Sequence, residues 1–485
     1  MFSPQSIPMD TFNTKLQTNP TLSSNNDLSD NEDQILNISS ENMIYNTEDY
    51  NVNSIRSSSA DSNKSYCGIK GNSVFSGIIN ICSSAVGAGC FTFPWIISNL
   101  GIFQCIFIFL SVTLSIYYSL DLLRSFVVDT KYFSFSLMTE LTLGKKWLMI
   151  YSFSSFIFYF SININYLTLI YSIFKSSFVE HSTFYGFIFL LLTCSAEIFL
   201  CMYTSKSAKI QLLSFITIFT YVFIVIITII EGLHSSIKDD YISDKFSKNK
   251  IINPSKDKKS WEIFFSCVTA CVRYIYAYSY NCSFPTLIGN LKNVNESNSK
   301  KVHKISFSII ASTYFIIGFF GFLLRENVPT VLFREYEDSS ETDTFTTTIK
   351  ILLSCFLFSL IPNRYIIIRD GYTSLIGKDK LTYKKDLLIT TLGLILSNGI
   401  VFLNEELFVE EGNVEIDIFT IMVNLFGGIF GVIIGFALPV INYAAVNGKR
   451  KLKSLIGYGI TALFLVVGLL SFGYAFYQMF DKNEE

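Results

Sequence analysis

Residues 87–89 read Gly-Ala-Gly in the middle of an apolar stretch, and Pro94 follows them. Two glycines weaken a helix, and Pro94 cannot donate a hydrogen bond to the carbonyl of Cys90. A proline does fit the first turn of a new helix. We therefore predict two half-helices joined by an unwound segment at about residues 85–89. The N–H groups that start the outer half suit a carboxylate, and the freed carbonyls of the inner half suit a cation.

A second stretch of the same kind lies at residues 278–283, where polar and small side chains interrupt an apolar run and Pro285 follows. Either stretch alone is also typical of close helix packing through small residues, which is common in membranes. Paired interruptions at matching places in two halves of a chain are the best sequence indication of a transport site. The pair therefore favours transport over packing alone.

The elements that position these stretches are membrane-spanning helices. Half of the 485 residues are hydrophobic, 16% are charged and the mean hydropathy is +0.42. The apolar runs are about 20 residues long, which is the length that crosses a bilayer, and backbone groups in lipid must pair within a helix. No basic stretch combines with a soluble fold, so nucleic-acid binding is not expected. We predict eleven spans, at about 73–97, 101–123, 147–174, 184–203, 210–230, 261–289, 303–324, 345–368, 386–404, 416–442 and 454–479.

The first ten spans are interpreted as two repeats of five, which makes the second repeat inverted and pairs span 1 with span 6. Lysine and arginine are concentrated in the loops that lie inside if the N-terminus is cytoplasmic, which sets the orientation. One loop disagrees, because residues 231–260 hold seven lysines and should lie outside. Residues 1–68 are rich in Ser, Asn and Asp and are predicted to form a disordered cytoplasmic tail, and residues 69–485 form the transmembrane domain.

Several motifs resemble those of the amino acid/auxin permease family, over most of residues 72–479. They are Gly87-Ala-Gly-Cys-Phe-Thr-Phe-Pro94 with Leu100-Gly101, Ser279-Tyr-Asn-Cys-Ser-Phe-Pro285 with Leu291-Lys-Asn293, Pro362-Asn-Arg364, and Gly427-Gly-x-x-Gly431 with Leu438-Pro439. The resemblance implies a LeuT-type fold and symport of amino acids with H⁺ or Na⁺. Many family members carry His where this chain has Asn281, so a proton role for that position is not carried over.

The substrate site is expected between spans 1 and 6, with spans 3 and 8 as its walls. Tyr159, Asn163 and Tyr166 share one helix face of span 3, where they could contact substrate or bond to other helices. The predicted substrate-binding residues are Ser84, Gly87, Ala88, Gly89, Tyr159, Asn163, Tyr278, Ser279 and Asn281. By analogy with the fold alone, Ala85 and Ser359 are predicted to bind a coupling ion.

Three ionisable residues, Glu197, Arg273 and Arg364, lie within apolar spans. Each costs about 2.5–3.5 kcal/mol at mid-membrane on insertion scales, so we expect them to face the bundle interior or a water-filled cavity. Arg273 could attract an anion or replace a bound cation, although a structural ion pair, with Glu197 as a candidate partner, is slightly favoured. Arg364 is expected to reach the inner interface, in a structural or gating role.

The leading hypothesis is an amino acid symporter that works by alternating access, and the alternative is an amino-acid-sensing membrane protein with little or no flux. An enzyme is not expected, because no nucleophile motif or His/Asp cluster is present. No cofactor is expected besides a coupling ion, and the partners are an amino acid and the lipid bilayer. The membrane is the plasma membrane or a vacuolar or other internal one. The sequence carries no signal for an oligomeric state.

Overall fold

A computed structural model describes residues 72–177, 183–204, 207–238, 259–278, 280–324, 328, 331–332, 344–376, 382–404, 418–448 and 451–481. All of them belong to one compact unit, Ser65–Glu485. The predicted tail, residues 1–68, lies outside the described residues, as does most of the lysine-rich loop 231–260. Within the described ranges the chain is helical, apart from one β-bridge between Asn72 and Leu291.

The described residues form a series of α-helices. In chain order they are α1 Val74–Ala85, α2 Phe93–Leu100, α3 Ile102–Thr130, α4 Phe135–Leu143, α5 Lys145–Ser177, α6 Thr183–Thr204, α7 Ser207–Lys238, α8 Ser260–Ala277, α9 Phe284–Gly289, α10 Glu296–Leu323, α11 Thr344–Ile376, α12 Tyr383–Leu403, α13 Ile418–Met422, α14 Leu438–Asn447 and α15 Leu452–Asp481. A 3₁₀-helix, Ala88–Thr92, lies between α1 and α2, and π-helical segments, Val423–Gly431 and Ile433–Ala437, lie between α13 and α14.

Nine helices of the described part are long and apolar enough to cross a membrane. A tenth candidate is the bent pair Val74–Ala85 and Ala88–Leu100, whose two parts meet at 54°. The predicted sixth span is divided between α8 and α9 and does not meet the same criterion in the described residues. The predicted count of eleven is therefore matched in part, as nine or ten candidate spans.

The first interruption lies at Val86 and Gly87, inside the predicted segment 85–89. Both residues are extended, with Val86 at φ −63° and ψ 133° and Gly87 at φ −159° and ψ 177°. The chain then forms the 3₁₀ turn before α2, which has Pro94 in its first turn. That is the position at which proline costs a helix nothing, because the N–H it lacks has no intrahelical partner there. The helix thus restarts just ahead of Pro94.

The second interruption separates α8 from α9, and it has the same design. The chain leaves the helix after Ala277, and Pro285 again occupies the first turn of the next helix. The start of the first interrupted segment is tied to the end of the second, because the N–H of Asn72 donates to the carbonyl of Asn290 at 2.8 Å and the N–H of Lys292 donates to that of Asn72 at 3.0 Å. The start of α1 thus lies beside the end of α9, which is the antiparallel arrangement expected of inverted partners.

The bundle is apolar on its outside as well as in its core. Side chains such as Phe107, Leu114, Phe219 and Leu463 are more than 60% exposed on the outer faces of their helices. A water-facing surface rarely carries so much contiguous apolar area, whereas lipid accepts it. The core around the first interruption is aromatic, and the ring of Phe93 lies 4.5 Å from that of Tyr274.

Candidate functional site

The two interruptions contact each other in the buried centre of the bundle. A Cβ atom on Gly89 would lie 2.8 Å from the Cα of Ala277, so the two backbones pack without a side chain between them. On the other side of the same crossing, the hydroxyls of Ser84 and Ser283 share a hydrogen bond of 2.7 Å. The end of α1 therefore faces the start of α9, and the end of α8 faces the 3₁₀ turn.

Tyr314 of α10 links the carbonyls that the two interruptions leave without helical partners. Its hydroxyl lies 2.9 Å from the carbonyl oxygen of Ala85 and 3.0 Å from that of Ala277. Because a hydroxyl has one proton, the two carbonyls share a single donor. α10 packs against both α1 and the 3₁₀ turn, which brings this tyrosine to the crossing. Ala85, predicted as a coupling-ion ligand, thus has its carbonyl beside Tyr314.

Gly87 lies against two polar side chains from other helices. A Cβ atom on Gly87 would collide with the hydroxyl oxygen of Tyr166 on α5 and would lie 3.5 Å from Nη2 of Arg364 on α11. Nη2 of Arg364 also lies 3.4 Å from the carbonyl oxygen of Val86, to which it donates. A hydroxyl and a guanidinium group therefore meet the extended backbone at this interruption.

A small cavity lies beside the second interruption, between α5 and the π-helical segment. Among its lining residues are Tyr159, Tyr278 and Asn281, three of the predicted substrate contacts. Gly431 and Gly435 line it from the π-helical side. The side-chain nitrogen of Asn281 donates to the carbonyl of Gly435 at 3.1 Å, which couples the second interruption to the π-helix. π-helical turns are rare and occur mainly at functional sites.

The remaining predicted residues fall in different surroundings. Ala88 is buried in the 3₁₀ turn, and Ser279 lies outside the described residues. Asn163 is fully buried, and its side-chain amide has no hydrogen-bond partner in the part of the chain that the structure describes. Ser359 bonds to the hydroxyl of Thr217 at 2.9 Å and donates to the carbonyl of Phe356 at 2.7 Å.

The two ionisable residues considered as a pair have different neighbours. The guanidinium carbon of Arg273 lies 3.9 Å from the centre of the Trp95 ring, and its Nη2 donates to the hydroxyl of Thr420 at 3.0 Å. Glu197 lies on α6 and accepts a hydrogen bond of 3.2 Å from the side chain of Asn398 on α12. In the described part of the chain, Glu197 therefore pairs with Asn398 rather than with Arg273. Arg273 instead joins α8 to α2 and α13.

Two residues at the crossing were not assigned there from the sequence. Tyr314 is one of 27 tyrosines, and nothing in its neighbourhood in the sequence marks it. Arg364 was singled out as a charge within a span, but it was expected at the inner interface. The structure buries it to 2% exposure beside Val86 and Gly87. The signal in the sequence was a charged residue within an apolar span. The position of the charge itself depends on how far the long side chain reaches.

A family model described as "transmembrane amino acid transporter protein" matches residues 70–481, which is most of the chain. No curated protein matches the chain. The matched region includes both interruptions, the residues of the crossing and the cavity.

Solved structures of transporters are similar in fold. A Na⁺-coupled sialic acid symporter in a substrate-bound, outward-open state aligns with a TM-score of 0.51 and 12% identity, over 84% of this chain and 92% of that one. A manganese transporter from Eremococcus coleocola aligns with a TM-score of 0.58 and 12% identity, over 84% of this chain and 87% of that one. Both are LeuT-fold transporters. At such identity the likeness shows the fold and nothing finer.

Proposed function

The chain belongs to the transmembrane amino acid transporter family, and from that premise we propose that it carries amino acids across a membrane by alternating access around the crossing of its two interrupted helices. It is a multi-pass integral membrane protein, and its family and fold are those of transporters rather than enzymes.

One observation supports the proposal above all others: the two interruptions meet. Gly89 packs on Ala277, and the hydroxyl of Tyr314 lies within hydrogen-bond distance of the carbonyls that end α1 and α8. Transporters of this kind place substrate at the midplane, where interrupted helices expose backbone groups that elsewhere are paired within the helix. A structural packing motif alone would not need two helix ends with a shared donor between them.

We assign the carboxylate of the amino acid to the side of the crossing that holds Gly87. The hydroxyl of Tyr166 and the guanidinium of Arg364 both lie at this glycine, and the 3₁₀ turn begins at the next residue, Ala88. A carboxylate gains most from charge-assisted hydrogen bonds of this type. Ser84 lies at the same crossing. Gly89 contributes by bringing the two interruptions into contact.

The substrate side chain is assigned to the cavity beside the second interruption. Tyr159, Tyr278 and Asn281 are its polar lining residues, and the rest of its lining is apolar. Asn163, one helical turn from Tyr159 on α5, is not among the residues that line the cavity, but its buried amide has no hydrogen-bond partner among the described residues. Burying such an amide without a partner is costly, so a bound substrate would offset the cost.

The eleven-span arrangement with a cytoplasmic N-terminus is part of the same proposal. It adds the α1–α2 pair and the α8–α9 pair, as spans 1 and 6, to the nine long apolar helices of the described part. The bridge between Asn72 and Leu291 supports it, because it joins the start of span 1 to the end of span 6 on one side of the bundle. We also predict coupling to H⁺ or Na⁺, a location in the plasma membrane or an internal membrane, and a disordered tail at residues 1–68.

An uptake screen over the amino acids in proteoliposomes tests the function, with proton and sodium gradients imposed separately. We expect at least one amino acid to accumulate inside the vesicles. Transport of no amino acid under either gradient would contradict the proposal. Saturable binding of an amino acid to the purified protein, without accumulation, would instead favour the sensor.

A further inference from the structure

Arg364 places a fixed positive charge at the end of α1. Its side chain is 2% exposed, and its Nη2 donates to the carbonyl of Val86, the first residue beyond the helix. The C-terminal end of a helix carries the negative end of its dipole and carbonyls that lack helical partners. The guanidinium therefore lies where the electrostatic field of α1 attracts a cation.

A bound metal cation is the usual occupant of such a place in transporters with interrupted helices, because the freed carbonyls coordinate Na⁺. Here two carbonyls at the interruption lie within hydrogen-bond distance of a donor from the protein. That of Ala85 accepts from the hydroxyl of Tyr314 at 2.9 Å, and that of Val86 accepts from Arg364. Ser359, expected to complete a cation site, has its hydroxyl 2.9 Å from that of Thr217.

The surroundings of the guanidinium suit a permanent charge. The aromatic ring of Tyr159 faces it, with 5.9 Å between the guanidinium carbon and the ring centroid, and the hydroxyl of Tyr166 lies close by at Gly87. Aromatic faces attract cations at this distance. Arginine is also the side chain best suited to burial with a charge, because it never loses its proton and is more weakly hydrated than an ammonium group.

We infer that Arg364 takes the place of a bound sodium ion at the end of α1, so that transport requires no Na⁺ at this site. This inference rests on the proposed function. Arg364 is part of α11 and cannot leave with the substrate. A sodium gradient therefore cannot drive transport through this site. The same charge stays in the site when the substrate carboxylate arrives and departs.

Two measurements on the purified full-length chain test the inference without requiring transport. The first is binding of radioactive sodium ion, and the second is thermal unfolding in NaCl compared with KCl at equal ionic strength. We expect the wild-type chain to show no saturable sodium binding and the same Tm in both salts. Saturable binding of sodium, with a higher Tm in NaCl, would overturn the inference.

Variants at residue 364 separate charge from simple packing. We expect Arg364→Lys to unfold at the same temperature in NaCl and KCl, because an ammonium group still supplies the charge. Arg364→Ala is expected to have a lower Tm in KCl and a partly restored Tm in NaCl, because Na⁺ can then coordinate the carbonyl of Val86. Arg369→Met is the matched control, because Arg369 on the same helix pairs with Asp386 at 3.3 Å, away from the interruption. It should leave the salt response unchanged.

Uptake of the amino acid identified in the vesicle screen gives the third readout. Replacing external Na⁺ by K⁺ should leave the initial rate of the wild-type chain unchanged, and Arg364→Ala should reduce that rate by about tenfold or more. Equal loss of stability in Arg364→Lys and Arg364→Ala would overturn the inference, since the charge would then not matter. Failure of the whole vesicle screen would contradict the proposed function. The binding and unfolding measurements would still test whether Arg364 replaces a sodium ion.

Discussion

Gly89 and Ala277 hold the two interrupted helices together at a distance that leaves no room for a side chain on residue 89. A Cβ atom there would lie 2.8 Å from the Cα of Ala277 and 3.2 Å from its backbone nitrogen. The obstacle is backbone rather than the end of a flexible side chain, so it cannot swing aside. The contact makes the two interruptions one structural unit.

Gly89→Ala should therefore destabilise the fold, by about 1–3 kcal/mol, as overpacking of a buried contact does. Thermal unfolding of the purified protein measures the effect, and surface expression should fall with it. Gly399→Ala is the matched control, since a Cβ on Gly399, in α12, would meet nothing within 4 Å. A Gly89→Ala protein with the Tm of wild type would show that the contact is looser than described.

Gly87 is constrained by a side chain instead, which gives a different prediction. Gly87→Ala should reduce stability because the added Cβ collides with the hydroxyl of Tyr166, whereas the next atoms, Cζ of Tyr166 and Nη2 of Arg364, lie at ordinary contact distances of 3.6 and 3.5 Å. Removing that hydroxyl in Gly87→Ala/Tyr166→Phe should therefore relieve the collision. Unfolding of the two single variants and the double variant should show a favourable coupling of about 0.5–3 kcal/mol. Purely additive effects would contradict the geometry.

Tyr314→Phe should destabilise the crossing, because the carbonyls of Ala85 and Ala277 lose their shared donor. Leaving buried carbonyls without a partner costs about 1–3 kcal/mol. We expect a lower Tm and slower uptake. Tyr185→Phe is the control, since Tyr185 is 58% exposed on α6. If both variants unfold like wild type, the hydroxyl of Tyr314 does not hold the two helix ends.

Asn281→His tests whether the cavity can be made sensitive to pH. Asn281 lines the cavity and donates to the carbonyl of Gly435, and an imidazole N–H can make the same bond. Unlike an amide, histidine changes its charge near neutral pH. The initial uptake rate of Asn281→His should therefore vary more steeply between about pH 5 and 8 than that of wild type. Asn281→Gln is the neutral control, and identical pH profiles for all three proteins would contradict the prediction.

Much of the fold could be predicted because its signals are local. Pro94 and Pro285 each mark the start of a helix, since a residue without an N–H is tolerated in the first turn and not in the interior. The structure places both in that position. The lengths of the apolar runs predicted most of the long helices for a similar reason, because bilayer thickness sets how many residues a span needs.

The site was predicted less completely, because contacts between distant residues have no local signal. Both glycines at the first interruption were identified, but their roles differ: Gly87 faces Tyr166, and Gly89 faces Ala277. Their backbone angles do not demand glycine. Only the approach of other helices explains why a side chain is excluded at each.

The sequence by itself determined that this chain is a membrane bundle with two interrupted segments and the motifs of its family, because periodicity, length and the chemistry of proline and glycine act over a few residues. Only the tertiary structure decided what meets at the first interruption. Arg364 stands 278 residues from Val86 along the chain, yet its charge lies at that carbonyl. Helix packing and the reach of a long side chain set that position, and neither can be read from Gly-Ala-Gly alone.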